Sequence, residues 1–130
     1  MGETKLKDFL SSADEMIVAT IRESGMPQLT PVWYWWDGTS FYFSTTTNRA
    51  KYKNITKNSD IAVIINSKEK HQYVAAHGKA EILNTKGNES IVTALVTKYL
   101  PAAEQEKWEG LFSKPERVII KLTPEKIVCN

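Results

Sequence analysis

Residues 31–51 read PVWYWWDGTSFYFSTTTNRAK, and the fold of the whole chain turns on this stretch. Strand alternation puts Leu29, Pro31, Trp33 and Trp35 on one face and Gln28, Thr30, Val32, Tyr34 and Trp36 on the other. Both faces carry bulky rings, so such a strand must be covered twice. Asp37-Gly38 predicts a tight hairpin, because a primed turn needs positive φ and this dipeptide tolerates it. The return strand runs from about Thr39 to Ser44. Beyond it, Ser44, Thr45, Thr46, Thr47 and Asn48 present hydroxyl and amide groups just before a helix whose first turns hold Arg49 and Lys51. Side-chain donors, the free N–H groups of a helix start and fixed cations on one short segment are the chemistry of an anion site.

Upstream, Leu6, Phe9, Leu10 and Ala13 mark a short amphipathic helix that lids one end of the core. Met16 to Arg22 alternates as a first strand, ended by turn residues through Pro27. Downstream, a helix over 48–57, N-capped by Thr47, has little more than Ala50, Tyr52 and Ile55 to bury, which places it on the surface. Ile61 to Ile65 is a continuous β-rich apolar run, expected to be a central strand buried on both faces. A charged connection at Lys68 to His71 leads to a long strand, Tyr73 to Leu83, in which Gly78 marks a bulge or a close backbone approach. Helices follow at Glu89 to Leu100, stopped by Pro101, and at Ala102 to Phe112. Strands at Arg117 to Leu122 and Lys126 to Cys129 come last. The expectation is a mainly β fold: six to seven antiparallel strands closed into a small barrel, with two to three peripheral helices, in one domain over residues 1-130.

The chain has 130 residues, 42% hydrophobic and 25% charged, the length and composition of a single ordinary globular domain. A net charge of +2 is too small to argue for nucleic acid or an anionic membrane. Charge is concentrated locally instead, in Arg49, Lys51, Lys53 and Lys57, with no acid among them. Cys129 is the single cysteine, which excludes an intrachain disulfide and suits a reducing compartment. Without a leader or an apolar run near the ~20 residues of a membrane span, a soluble, cytoplasmic protein is expected. His71 and His77 are the only histidines, so no metal site is expected. No Gly-rich phosphate loop and no Gly-x-Ser-x-Gly elbow occurs. Any chemistry is therefore expected to come from a bound cofactor, with no side chain assigned as catalytic. So many rings in so small a barrel predict a flat ligand or a partner subunit over one set of them. A single-strand nucleic-acid binder is disfavoured by the low net charge.

Four blocks, MIVATIRESGMPQLTPVWYWWDG, FYFSTTTNRAKYKNI, QYVAAHGKAEI and ERVIIKLTPEKI, resemble in content and order the pyridoxamine 5'-phosphate oxidase-like superfamily of split β-barrel, FMN-binding-like flavoproteins. Within it the sequence is most similar to the branch that depends on the deazaflavin coenzyme F-420. The most specific block is Arg49-Ala50-Lys51 after a hydroxyl-rich strand end. The resemblance implies a homodimer with two cofactor sites between the barrels. Thr30, Pro31, Val32 and Trp33 would line the isoalloxazine-type ring, and Ser44, Thr46, Arg49 and Lys51 would hold the phosphate. Gln72 and Tyr73 would reach in from the partner chain, Gln72 standing where relatives commonly carry Arg. The implied activity is an oxidoreductase passing a hydride to a small conjugated substrate, with coenzyme F-420 favoured and FMN as the alternative; a noncatalytic flavin or tetrapyrrole carrier or sensor is the competing class. The substrate-phosphate residues and C-terminal segment of the oxidase proper are not found, so oxidation of pyridoxamine phosphate is not expected.

Overall fold

The structure is a computed structural model that describes residues 2–12 and 14–130; Ala13, expected on the first helix, lies outside the described residues. Its elements are α1 (Glu3–Leu10), β1 (Met16–Ile21), β2 (Pro27–Val32), β3 (Trp35–Trp36), β4 (Phe41–Thr46), α2 (Ala50–Lys57), β5 (Asp60–Ser67), β6 (Gln72–Asn84), α3 (Glu89–Tyr99), α4 (Ala102–Phe112), β7 (Arg117–Leu122) and β8 (Lys126–Cys129). Among the described residues there are eight strands and four helices: the strand beyond the six to seven expected comes from the interruption of the aromatic strand at Trp33 and Tyr34, and all four segments that the sequence marks as helical form, one more than the two to three expected.

That interruption organises the sheet. β2 pairs with β1, whereas β3 pairs with β4, so the chain changes partners across two residues. The strand order is β2-β1-β5-β6-β7-β4-β3, with β8 on β6. The result is the mainly β, antiparallel fold that the sequence led us to expect, as a curled half-barrel whose edge strands, β2 and β3, are consecutive in sequence. Long β6 joins the halves: residues 72–79 pair with β5, residues 74–77 also with β8, and residues 80–84 with β7. Gly78 sits at this transition, where an added Cβ would lie 2.9 Å from the Thr123 carbonyl oxygen. It marks the close backbone approach that the sequence led us to expect.

The Asp37-Gly38 hairpin forms, with Gly38 at φ +107 between Asp37 and Ser40, the Asp37 N–H donating to the Ser40 carbonyl at 3.1 Å. The Asp37 carboxylate also accepts from the backbone N–H of Thr39 and Ser40 and from the Tyr42 hydroxyl. Burial works against the charged carboxylate, but these donors hold it below its ordinary pKa.

Two apolar clusters hold the molecule together. The barrel interior is built on Tyr34, Phe41, Phe43, Met16 and Ile65, and Trp36 packs against it. Outside β4 and β7, a second cluster beneath α3 and α4 contains Tyr42, Leu95, Val96, Phe112 and Ile119, with Trp33, Trp35 and Trp108 against it. The fold therefore absorbs the rings that were expected to await a ligand or a partner, since the helix pair covers one set and the barrel core the other. What stays open is aliphatic. In β5 alternate residues are exposed, so this strand is not buried on both faces as expected. Pro31, Ile17, Ile64, Ala75 and Val128 lie in one row across five strands. Leu29, Ile64 and Val128 are among the exposed large hydrophobic residues, at 66%, 37% and 42%. Among the described residues no helix is long and apolar enough to cross a membrane.

Candidate cofactor-binding site

β4 ends in Ser44, Thr45 and Thr46, and the chain turns at once into α2. The turn is fixed by Thr47 N–H donating to the Glu116 carbonyl (2.9 Å) and Arg49 N–H to the Thr46 carbonyl (3.1 Å). Thr47 is thus not the helix cap; Arg49 occupies that position, extended, and no side chain caps the first amides of α2. The helix is anchored from its far face. Ile55 is buried, and the Asn54 amide donates to Thr20 Oγ1 and Gln28 Oε1. Arg49 and Lys51 are left free to face the strand ends.

They line a cavity of about 250 Å³ together with Pro31, Val32, Trp33, Ser44, Thr45, Thr46 and Arg117, walled by Leu95, Trp108 and Phe112, with Glu15 at its edge. Seven of the residues that sequence reasoning proposed, Pro31, Val32, Trp33, Ser44, Thr46, Arg49 and Lys51, are therefore brought together. Thr30 is not among the lining residues; it pairs with Val18 inside the sheet. Gln72 lies in a separate cavity with Lys5, Asp8, Phe9, Lys70 and Cys129, and Tyr73 exchanges backbone hydrogen bonds with Asn130.

The cavity is electrostatically unbalanced. Burial lowers the pKa of Lys51, and the nearby Arg49 and Arg117 lower it further. Burial and Arg49 likewise lower Arg117, against a smaller opposing pull from Glu116. In the same wall, Ser44 Oγ is buried without a hydrogen-bond partner among the described residues; the orphaned Oγ1 atoms of Thr45 and Thr30 belong to residues that alternate onto the barrel-interior face with Phe43 and Val32. An orphaned hydroxyl costs stability and crowded cations repel, and one anion answers both. This donor set fits a phosphate. Among the described residues no cluster of three His, Cys, Asp or Glu could hold a metal.

Arg117 was missed by sequence reasoning. It stands opposite Thr46 across the β4–β7 ladder, a neighbourhood created by strand register alone. Trp108 and Phe112 read as one side of an amphipathic helix, without a sign that the side faced a cavity. Trp33 was expected against a ligand ring. Its own ring instead stacks on Tyr99 at 5.0 Å and meets Trp108 at 5.5 Å, so it reaches the cavity as part of a packed wall.

The sequence model of the family described as pyridoxamine 5'-phosphate oxidase matches residues 3–128. A search of curated proteins gives no match. Among solved structures, a protein titled F420 reductase is 27% identical, with a TM-score of 0.77 over 94% of each chain. A conserved hypothetical protein from Mycobacterium tuberculosis superposes with a TM-score of 0.82 at 19% identity, over 99% of this chain and 84% of the other. General stress protein 26 from Bacillus anthracis gives 0.75 at 18%, over 98% and 92%. The last two share the fold.

Proposed function

The chain belongs to the pyridoxamine 5'-phosphate oxidase family of flavin-type oxidoreductases, and from that premise we propose that it is a reductase holding the deazaflavin coenzyme F-420 and passing a hydride to a small conjugated substrate. The observation that carries the reading is the cavity in which Arg49 and Lys51 stand with the partnerless hydroxyl of Ser44. Ser44, Thr46, Arg49 and Lys51 hold the phosphate. Pro31 and Val32 at the end of β2, with Trp33 just beyond it, would flank the flat ring. A bound flavin-type group supplies the hydride chemistry, and the chain binds, orients it and excludes water. The α3–α4 pair, through Leu95, Trp108 and Phe112, provides that dry wall.

The deazaflavin reading is supported by the 27% identity to a protein titled F420 reductase. For the anionic tail of that cofactor, Lys53 is exposed, whereas Lys57 is paired with Glu23 at 3.1 Å and is partly neutralised. We further propose that two copies associate through the aliphatic row across β2, β1, β5, β6 and β8. In that dimer Gln72 and Tyr73 complete the partner's site. The test is the absorbance spectrum and mass of the molecule that copurifies, followed by titration with coenzyme F-420 and with FMN across ionic strength. The expected result is tighter binding of F-420, with an advantage that shrinks as salt rises. FMN bound at least as tightly at every salt concentration replaces this reading with an FMN enzyme.

A further inference from the structure

The cavity contains one more cation than residues 44–51 supply. Arg117 opens β7 directly across the ladder from Thr46. Its guanidinium carbon stands 4.9 Å over the Phe112 ring, a contact that aims the side chain and shields one of its faces. Arg49, Lys51 and Arg117 line the same cavity, and Glu15 is its only carboxylate. One phosphodiester charge would leave this cluster still positive. Ser44, on the same face of β4 as Thr46, adds a buried hydroxyl without a partner among the described residues, an independent sign that the wall is built to meet a polar ligand.

We propose that Arg117 is a third anion-binding residue of the site and sets its preference for ligands that present two negative charges at this end. The chemistry is shared by a phosphate monoester dianion and by a phosphodiester followed closely by a carboxylate. A planar guanidinium suits either, because its fork can take two oxygens of one group or bridge two groups. Phe112 is a positioning residue that acts through Arg117. The assignment rests on the cofactor reading above and deepens it, naming the charge its ligand must carry.

The experiment compares wild type and Arg117→Gln by fluorescence titration with FMN, coenzyme F-420 and uncharged riboflavin. A lost charge-assisted contact is worth roughly a ten- to hundredfold loss of affinity. The expected result is a loss of that size for FMN, F-420 or both, with riboflavin changed by less than about twofold, within what an unaffected contact allows. Loss confined to FMN assigns the charge pair to a monoester, and loss confined to F-420 assigns it to a diester with its carboxylate. Unchanged affinity for both cofactors overturns the assignment, as does an equal loss for riboflavin. If Arg117→Gln does not fold, Arg117→Lys keeps the charge without the fork and is read against the same three ligands. Should wild type bind neither cofactor, the cofactor reading fails by itself and inorganic pyrophosphate decides about Arg117. A larger pyrophosphate-induced rise in Tm in wild type than in the variant upholds its role, and equal rises overturn it.

Discussion

Trp33 lies flat on Tyr99, with ring centroids 5.0 Å apart and planes 6° from parallel. The same tyrosine hydroxyl accepts the Tyr34 N–H at 3.2 Å and donates to the Asp14 carbonyl at 2.9 Å. One residue of α3 therefore clasps the point where the chain leaves β2 and enters β3. Tyr99→Phe keeps the stack and abandons both hydrogen bonds. We expect a loss of about 1–2 kcal/mol in urea denaturation, since a partly buried N–H is left without its partner. A variant as stable as wild type would show that the stack alone holds the junction.

Arg49 and Lys51 line the cavity and make no ion pair with an acid among the described residues. Arg49→Ala should weaken cofactor binding about ten- to a hundredfold, at roughly 1.5–3 kcal/mol per charge-assisted contact, while Tm without ligand stays level or rises. The rise would come from relief of cation crowding. An Arg49→Ala, Lys51→Ala double variant that binds F-420 and FMN as wild type does rules the site out.

The aliphatic row across β2, β1, β5, β6 and β8 predicts association. Sedimentation should report about twice the chain mass of 14.7 kDa. Ile64 points outward and is already 37% exposed in the single chain, so Ile64→Lys tolerates the fold while placing a charge in the contact. The variant should sediment as a folded monomer. A wild-type protein that is monodisperse and monomeric at micromolar concentration removes the dimer, and the shared site with it.

Lys98 gives a pH signature. Its Nζ donates to the carbonyls of Leu10 (3.0 Å) and Tyr34 (3.1 Å) and stands 3.3 Å from the centroid of the Tyr34 ring. Burial pulls its pKa down to about 7, against the attraction of Asp14. Below about pH 7 the amine is protonated in both folded and unfolded chains, and above the ordinary lysine value near 10.4 it is neutral in both. Between these limits unfolding takes up a proton, so the contribution of Lys98 to stability grows as pH rises. Urea melts of wild type and Lys98→Met at about pH 6.5 and 9.5, near the two ends of that window, isolate the residue. The stability of wild type relative to the variant should be greater at the higher pH, and parallel behaviour would show that Lys98 does not titrate there.

Local pattern carried most of the fold. Alternation in residues 28–36 assigned the correct face to every ring, and α4, β7 and β8 run over the residues expected, because their periodicity is uninterrupted and Pro101 and Pro115 punctuate them. What escaped was long-range. No local signal shows that Trp33 and Tyr34 carry the chain from one sheet edge to the other, nor that α3 and α4 fold back over Trp33 and Trp35. The surplus of aromatic rings was real, but the fold consumes it. The site divides in the same way: Ser44 to Lys51 is contiguous and could be read directly, whereas Arg117 arrives through a ladder whose register is set by the whole sheet.

That ladder also decides when the cation cluster comes into being. Thr46 and Arg117 are far apart in the chain, so their meeting closes one of the longest loops in the molecule. Until β7 inserts between β4 and β6, Arg49 and Lys51 lack the third cation of the cavity. Docking β7 means pushing Arg117 against them, so a contact of long loop closure is also one that electrostatic repulsion opposes. A polyvalent anion in the refolding buffer should relieve that opposition and speed the final phase, and Arg117→Gln should fold faster without it. The ligand's charge is then a participant in assembly before it is a handle for binding.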